Sequence, residues 1–274
     1  MKDAYGGAGL VAARLGGTDP TQSNLSTEKL LSLLECMTNL EGPARLQDLA
    51  RTLGMNASTL LRFLAPLQRR GYVFQEPESG RYSLTFRLCA LADSLKSRLD
   101  LRNLAFPFLR EAAKVFGESA NLSVDRDMSV LYVEVVNFPG KTLMMMQRIG
   151  HVAPLHCTGV GKLFLSEYSP RQLARYLKAK GLTRFTDRTL TRREDLERAL
   201  EEIRRQGYAF DNEECEEGAR CVAAPLRDYT GRIAAGLSVS GPAARMTDRH
   251  IARNLPYLLD AARQLSLRLG WREE

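Results

Sequence analysis

The residues of this chain whose types and spacing suit a chemical task lie in two segments, the first running from Leu46 to Val73. It reads LQDLARTLGMNASTLLRFLAPLQRRGYV, which predicts two short helices joined by a turn at Gly54. In such a helix-turn-helix the second helix enters the major groove of DNA, and neighbouring basic residues contact phosphates. Residues 45–98 contain eight arginines and one lysine against four acidic residues, a balance that suits a polyanion. The predicted DNA-binding residues are Asn56, Ser58, Thr59, Arg62, Arg69 and Arg81.

Three helices and a hairpin are predicted to position these residues in a winged helix-turn-helix domain over residues 21–85. Ser26 is the expected N-cap of the first helix, because its hydroxyl group suits the unpaired N–H groups there. The third helix is expected to bury Leu61 with its other apolar residues. Pro66 predicts a kink in the later half of that helix, because proline cannot donate a backbone hydrogen bond. The runs YVFQEP and RYSLTF, joined by a turn, predict the hairpin wing.

The second segment is PLHCTGVGKLFL, from Pro154 to Leu165. A phosphate-binding loop needs a glycine where His156 stands and a serine or threonine where Leu163 stands, so a nucleoside triphosphate site is excluded and no cofactor is expected. What remains is a glycine-flanked turn that opens a helix at Gly159 and Val160. Unpaired backbone N–H groups and the helix dipole favour a small anion there, such as a carboxylate. A simple tight turn is the equal alternative.

The spacing of the histidine and cysteine residues does not favour nucleophilic catalysis or zinc binding. His156 directly precedes Cys157, and adjacent residues of an extended segment point apart, so the histidine is not expected to activate the thiol. The five cysteines are odd in number and scattered, with no export signal before them, and are expected to be reduced thiols. Neither a CxxC nor an HxxxH spacing occurs, so no metal site is expected.

Length and pattern predict two domains, because 274 residues exceed the ~100 to 150 residues of most domains. Residues 1–20 are predicted as a flexible arm, and residues 86–116 as linker helices that are interrupted or kinked at Pro107. Residues 117–274 are predicted as an α+β domain on an antiparallel sheet, with one helix from Arg193 to Gln206. No stretch reaches the ~20 apolar residues that cross a bilayer, so we expect a cytoplasmic protein without membrane association.

The order of these motifs resembles the IclR family of bacterial transcription regulators. From about Thr21 onward, the winged helix is followed by PLHCTGVGKLFL, by GYAFDNEECEEGARCVAAPLRD and by IAAGLSVSGPAARMT. The resemblance implies a profilin-like or GAF-like antiparallel-sheet domain that binds a small organic-acid effector. It also implies dimers, or dimers of dimers, on palindromic double-stranded DNA operators. Carried over by position, the effector-binding residues are Leu143, Met145, Gly159, Val160, Asp211, Cys221, Ser238 and Ser240.

Two residues of this chain depart from the family pattern, and a third conflicts with an acidic ligand. Cys157 stands where the family usually has alanine, which narrows the pocket or adds a reactive thiol. Pro66 falls in a helix where the family usually has no proline. Asp211 would repel an acid if it were ionised, so it is expected to accept from a ligand hydroxyl group or to be protonated.

We therefore interpret the chain as a DNA-binding transcriptional regulator whose operator binding responds to a small acid. One alternative is an enzyme that acts on a small carboxylic acid through Cys157, Cys221 or Asp211. Another is a ligand sensor whose winged helix binds a protein. A sugar acid, a keto acid and an aromatic acid suit the predicted pocket equally, and the pattern does not decide between a repressor and an activator.

Overall fold

The computed structural model describes residues 24–96, 100–138 and 147–273 of the protein. The chain divides into two compact units, with the boundary between residues 98 and 99. The predicted flexible arm at residues 1–20 and the predicted effector residues Leu143 and Met145 lie outside the described residues. Within the described ranges, no helix is both long and apolar enough to span a membrane.

Over residues 24–96 the N-terminal unit contains three helices, a two-stranded hairpin and a fourth helix. Its elements are α1 (Leu25–Thr38), α2 (Leu46–Thr52), α3 (Ala57–Arg69), β1 (Val73–Gln75), β2 (Tyr82–Leu84) and α4 (Arg87–Lys96). The hairpin is antiparallel, with Val73 opposite Leu84. Helical spacing of the leucines buries Leu33, Leu49 and Leu60 in one core. The predicted helix-turn-helix with a hairpin wing is confirmed.

The first helix begins earlier than predicted, because Asn24 and not Ser26 is its N-cap. The Asn24 Oδ1 accepts a hydrogen bond from the Ser26 N–H at 3.1 Å, and the helix starts at Leu25. Both residue types cap helices well. The side chain nearer the N-terminus takes the role here, so the prediction for Ser26 is wrong.

The C-terminal unit is an α+β domain, as predicted. Its elements are α5 (Leu101–Phe116), β3 (Ser119–Asp125), β4 (Val130–Val136), β5 (Val152–Ala153), α6 (Gly159–Ser166), α7 (Pro170–Lys180), α8 (Arg193–Gln206), β6 (Ala209–Asn212), β7 (Ala219–Arg227), β8 (Ile233–Pro242) and α9 (Asp248–Arg268). The strands form one sheet in the order β5-β4-β3-β8-β7-β6, and every neighbouring pair is antiparallel.

Helices cover both faces of this sheet. Alternate residues such as Leu122, Val222 and Leu237 pack with the apolar residues of α5 and α9 in one core. The residues between them face the opposite way, where Ala209 and Ala223 pack with α6 and α8 in a second core. The second face also carries the polar residues of the candidate site.

The stretch predicted as linker helices, residues 86–116, divides between the two units. Helix α4 belongs to the first unit and α5 to the second. Ala105, Leu109 and Phe116 of α5 are buried in the core of the second unit. Because one face of α5 is apolar along its whole length, this helix is part of the domain core, contrary to the linker prediction.

The two helices with an internal proline are not broken there, so the break expected at Pro107 is wrong and the kink at Pro66 stays a prediction. Helix α3 continues through Pro66, and α5 continues through Pro107. At Pro66 the helix lacks one hydrogen bond, to the carbonyl group of Arg62. Leu64 and Leu67 on either side of the proline are buried in the core, and this packing holds both halves of the helix.

Candidate functional site

The exposed face of α3 is the candidate DNA interface. Gly54 has a φ of +60°, a left-handed conformation that glycine adopts readily, and there the chain turns from α2 toward α3. Asn56 caps α3, since its Oδ1 accepts from the Thr59 N–H at 2.8 Å and from the Ser58 hydroxyl group at 3.1 Å. The side of α3 opposite the core is exposed and presents Ser58, Leu61, Arg62, Ala65 and Arg69.

Leu61 lies on this exposed face, so the prediction that it is buried is wrong. Leu61 is 43% exposed, whereas Leu60 and Leu64 are fully buried. Leu60 and Leu64 are four residues apart and share one side of the helix, while Leu61 shares the other side with Ser58 and Arg62. The sequence prediction missed the exposure of Leu61 because it grouped the leucines by residue type; the spacing of Leu61 from Ser58 was the available signal.

Three of the predicted DNA-binding residues are exposed arginines. Arg62 and Arg69 lie on α3, and Arg81 directly precedes β2. Across the described parts of the chain, none of the three forms an ion pair with an acidic side chain. Arg51 of α2, by contrast, is paired with Asp48 at 2.6 Å. The unpaired guanidinium groups on α3 and beside the wing are available to phosphates.

The side chains of the remaining predicted DNA-binding residues differ in how accessible they are to DNA. Ser58 is exposed, whereas Thr59 is half-buried and the Asn56 side-chain oxygen is engaged in the cap. The turn of the wing carries Glu76 and Glu78, both exposed, and negative charge there opposes contact with phosphates. The geometry therefore favours α3 over the wing tip as the element that meets DNA.

The N-terminus of α6 is the candidate anion site. Thr158 caps this helix: its Oγ1 accepts from the Gly161 N–H at 3.2 Å and donates to the Pro154 carbonyl oxygen at 2.8 Å. The N–H groups of Gly159 and Val160 have no hydrogen-bond partner among the residues that the structure describes. A helix N-terminus with two unpaired donors is suited to an anion.

Glycines allow α6 to lie directly on the sheet. A Cβ atom on Gly159 would lie 3.3 Å from the Cβ of Ala223. A Cβ atom on Gly236 of β8 would lie 2.4 Å from the Cγ1 of Val160, a distance at which Val160 would have to shift. The helix N-terminus is therefore held close over β7 and β8.

A row of buried polar side chains crosses the sheet face under α6. Asp211 on β6 is opposite Cys221 on β7, which is opposite Ser240 on β8. Ser238 lies on the same face and is opposite Asn121 on β3, whose Nδ2 donates to the Ser240 Oγ at 3.3 Å. The structure thus brings together four predicted effector residues. It adds Asn121, which sequence reasoning missed because strand register alone places it there.

Burial governs the protonation of this row. It raises the pKa of Asp211 to about 7, although hydrogen bonds from the N–H groups of Glu214 and Cys215 lower it. Burial also raises the pKa of Cys221 to about 12, so this thiol is protonated at neutral pH. The Asp211 carboxyl is therefore partly protonated near neutral pH, which weakens its repulsion of a bound carboxylate.

A buried ion pair lies beside the row. Lys162 of α6 donates to the Glu214 Oε1, and both side chains are almost fully buried. The same oxygen accepts from the Asn212 N–H at 3.4 Å. Neither Lys162 nor Glu214 was predicted as a site residue. The available signal was a lysine within the mostly apolar stretch GVGKLFLS.

Cys157 and His156 do not form a nucleophile and base. Contact with the Cys215 thiol and burial raise the pKa of Cys157 far above its ordinary value. The His156 Nδ1 lies 3.1 Å from the Tyr176 hydroxyl group, and its Nε2 lies 2.9 Å from the Thr183 carbonyl oxygen. Both ring nitrogens of His156 therefore face partners other than the Cys157 thiol. Among the residues described, no cluster of His, Cys, Asp and Glu is arranged to hold a metal ion.

Known family models match both the helix-turn-helix part and the C-terminal part of the chain. Residues 26–77 match the IclR helix-turn-helix domain, and residues 94–267 match the family described as bacterial transcriptional regulator IclR C-terminal. The chain is 34% identical to the HTH-type transcriptional regulator KdgR of Escherichia coli over 248 residues, covering 90% of this chain and 94% of that protein. It is 31% identical to the transcriptional repressor IclR of Escherichia coli, over 88% of each chain.

A solved structure shows the same arrangement of elements. The crystal structure of the Thermotoga maritima IclR has a TM-score of 0.60 and 29% sequence identity to this chain, covering 90% of this chain and 99% of that one. The winged helix, the antiparallel sheet under α6 and these matches lead to one conclusion: the chain belongs to the IclR family of bacterial transcriptional regulators.

Proposed function

We propose that the protein is a cytoplasmic repressor whose binding to a palindromic DNA operator is weakened by a small organic acid bound under α6. The observation that carries this proposal is the pair of unpaired N–H groups at Gly159 and Val160, held over a row of buried polar side chains. DNA binding follows from the family. The acid, the direction of its effect and the assembly of the protein are proposed.

The chemistry of the site suits one carboxylate. The two N–H groups and the helix dipole attract an anion, and the Ser238 and Ser240 hydroxyl groups are able to donate to it. The partly protonated Asp211 allows an acid to lie nearby. Because all of these groups are buried, their interaction with a charge is screened less than at the surface.

The proposed mechanism is a shift between two arrangements of a homodimer, or of a dimer of dimers. The acid binds one arrangement more tightly, so it increases the population of that arrangement. A palindromic operator requires two winged helices at a fixed spacing, and the arrangement that binds the acid presents them at another spacing. One relative carries the name transcriptional repressor, and we propose the same direction for this chain.

Gel-shift titrations of the full-length protein on the DNA upstream of its own gene test the proposal, with and without small organic acids. Arg62→Ala is expected to weaken the complex about tenfold or more and to leave acid binding intact. The double variant Ser238→Ala/Ser240→Ala is expected to keep DNA binding and lose the response to acid. Arg198→Ala, which removes an exposed arginine of α8, is the matched control and is expected to change neither.

Two results would overturn the proposal. If no acid changes the affinity of the complex at any salt concentration, the effector part is wrong. If the serine variant responds to acid as the unmodified protein does, the effector binds elsewhere.

A further inference from the structure

Three buried oxygen atoms beside the candidate acid site have no hydrogen-bond partner in the described part of the chain. They are the Asn121 Oδ1, the Ser123 Oγ and the Glu214 Oε2. Asn121 and Ser123 are 0% exposed, and Glu214 is 7% exposed. A buried polar atom without a partner destabilises the folded protein, because it has lost its hydrogen bonds to water. Three of them in one region provide hydrogen-bonding capacity that a bound molecule can satisfy.

These atoms flank the polar row under α6 from two sides. Asn121 and Ser123 lie on β3, and Asn121 is opposite Ser238 of the row. Glu214 follows β6, at the other end of the row, and Lys162 of α6 binds its second carboxylate oxygen. A molecule whose carboxylate lies at the N-terminus of α6 therefore has unpaired oxygen atoms on both sides of it.

The type of unpaired atom limits the chemistry of that molecule. A carboxamide oxygen and a carboxylate oxygen accept hydrogen bonds and cannot donate them, whereas the Ser123 hydroxyl group can do either. Keto and carboxylate groups also only accept, so a simple keto acid leaves the Asn121 and Glu214 oxygens unpaired. An ammonium group donates, but Lys162 already neutralises Glu214, so a second cation there would be repelled. A hydroxyl group donates without adding charge.

We infer that the effector is a hydroxylated carboxylic acid, in which at least one hydroxyl group donates to an unpaired oxygen of β3, either the Asn121 Oδ1 or the Ser123 Oγ. This inference rests on the proposed function, because it assumes that the acid lies under α6. Of the three classes of acid that suit the predicted pocket, it favours a sugar acid over a keto acid or an unsubstituted aromatic acid.

Acids that share a carbon skeleton and differ in hydroxyl groups test the inference on the full-length protein. One series is propionate, lactate, glycerate and pyruvate; the others are hexanoate with gluconate, and benzoate with 3-hydroxybenzoate. Serine is added as the amine counterpart of glycerate. In thermal-shift and calorimetric titrations, each hydroxyl group that meets a buried acceptor is expected to tighten binding about tenfold.

Variants separate the role of the unpaired atoms from a general effect on the fold. Asn121→Leu removes the acceptor at similar volume and is expected to reduce the ratio of the affinities for the hydroxylated acid and for its unsubstituted counterpart about tenfold. Ser123→Ala is the smaller second variant if the first does not fold. Ser266→Ala is the matched control, because Ser266 is a buried serine of α9 that binds the Arg227 N–H and the Ala262 carbonyl oxygen.

The outcomes distinguish this inference from the proposed function. Any of three results overturns the inference and leaves the proposed function standing. They are equal binding of hydroxylated and unsubstituted acids, tightest binding of pyruvate or serine, and an unchanged preference for hydroxylated acids in both β3 variants. If no acid of any series stabilises the protein or alters its DNA complex, the proposed function is lost and the inference with it.

Discussion

The Asp211 carboxyl group shows how strongly the fold can change the chemistry of one residue. In the sequence it is an acid in a predicted acid-binding site, where an ionised carboxylate would repel the ligand. In the structure burial raises its pKa to about 7. Two backbone N–H groups, of Glu214 and Cys215, bind one of its oxygens and orient it. The apparent conflict between residue type and site is removed by burial.

Asp211→Asn is expected to gain stability relative to the unmodified protein as the pH rises toward 7. The carboxyl group titrates near pH 3.8 in the unfolded chain and near pH 7 in the folded protein, so the folded state holds an additional proton between these values. The free energy of unfolding therefore falls by up to about 1.4 kcal/mol per pH unit in this interval, and the variant lacks this loss. Urea denaturation of both proteins across the interval measures the difference. A difference that does not change with pH would contradict the assigned pKa.

Leu61→Ala is expected to remove a preference for thymine at one position of each operator half-site. Leu61 is the large apolar residue among those listed on the exposed face of α3, and apolar side chains in the major groove contact the thymine methyl group. Replacing single thymines by deoxyuridine, which lacks that methyl group, should weaken binding of the unmodified protein about fivefold at one position. The variant should be insensitive to the replacement.

The control for this measurement is Leu91→Ala, because Leu91 is an exposed leucine of α4. It is expected to keep the full sensitivity to deoxyuridine. If Leu61→Ala keeps it as well, Leu61 does not contact a thymine methyl group.

At the scale of elements, the position of α6 depends on glycines that allow close packing. Alanine normally stabilises a helix interior relative to glycine by about 1 kcal/mol. Gly161 is an exception, because a Cβ atom there would lie 2.3 Å from the Leu155 carbonyl oxygen and 2.4 Å from the Thr158 Oγ1. Both atoms are held in the turn that precedes the helix.

Gly161→Ala is therefore expected to lower the free energy of unfolding by about 1–3 kcal/mol, the usual cost of overpacking a core. Chemical denaturation followed by circular dichroism measures it. Gly42→Ala is the control, since no atom lies within 4 Å of the added Cβ, and it is expected to be nearly neutral. A variant at position 161 as stable as the control would show that the turn before α6 relaxes easily.

At the scale of the whole molecule, a dimeric regulator is expected to depend on the spacing of its two half-sites. Inserting half a helical turn of DNA, about 5 base pairs, places the half-sites on opposite faces of the duplex. Binding should fall to the level of a single half-site, and insertion of a full turn, about 10 base pairs, should restore part of it. Gel shifts on the two inserted operators measure this, with a scrambled spacer of natural length as control. Equal affinity for both insertions would contradict a dimer with fixed spacing.

Much of the fold could be predicted because helix boundaries depend on local spacing. Helix α8 begins and ends at the predicted residues, since Leu196, Leu200 and Ile203 repeat at helical spacing and Gly207 follows in the left-handed conformation. Predictions failed where a local rule competed with packing. Pro107 suggested a break in a linker helix, but α5 continues through it and buries Ala105, Leu109 and Phe116 in the domain core.

The amino-acid sequence by itself determined the family, the order of the two domains and the segment that meets DNA, because these depend on motifs of neighbouring residues. Only the tertiary structure decided which side of α3 faces outward and which polar residues share the site under α6. Asn121 and Ser240, for example, are 119 residues apart in the chain and are joined by one hydrogen bond. Strand register brings such residues together, and burial then sets their protonation and leaves the oxygen atoms unpaired. Neither effect is visible in the local sequence, because both depend on contacts between distant segments.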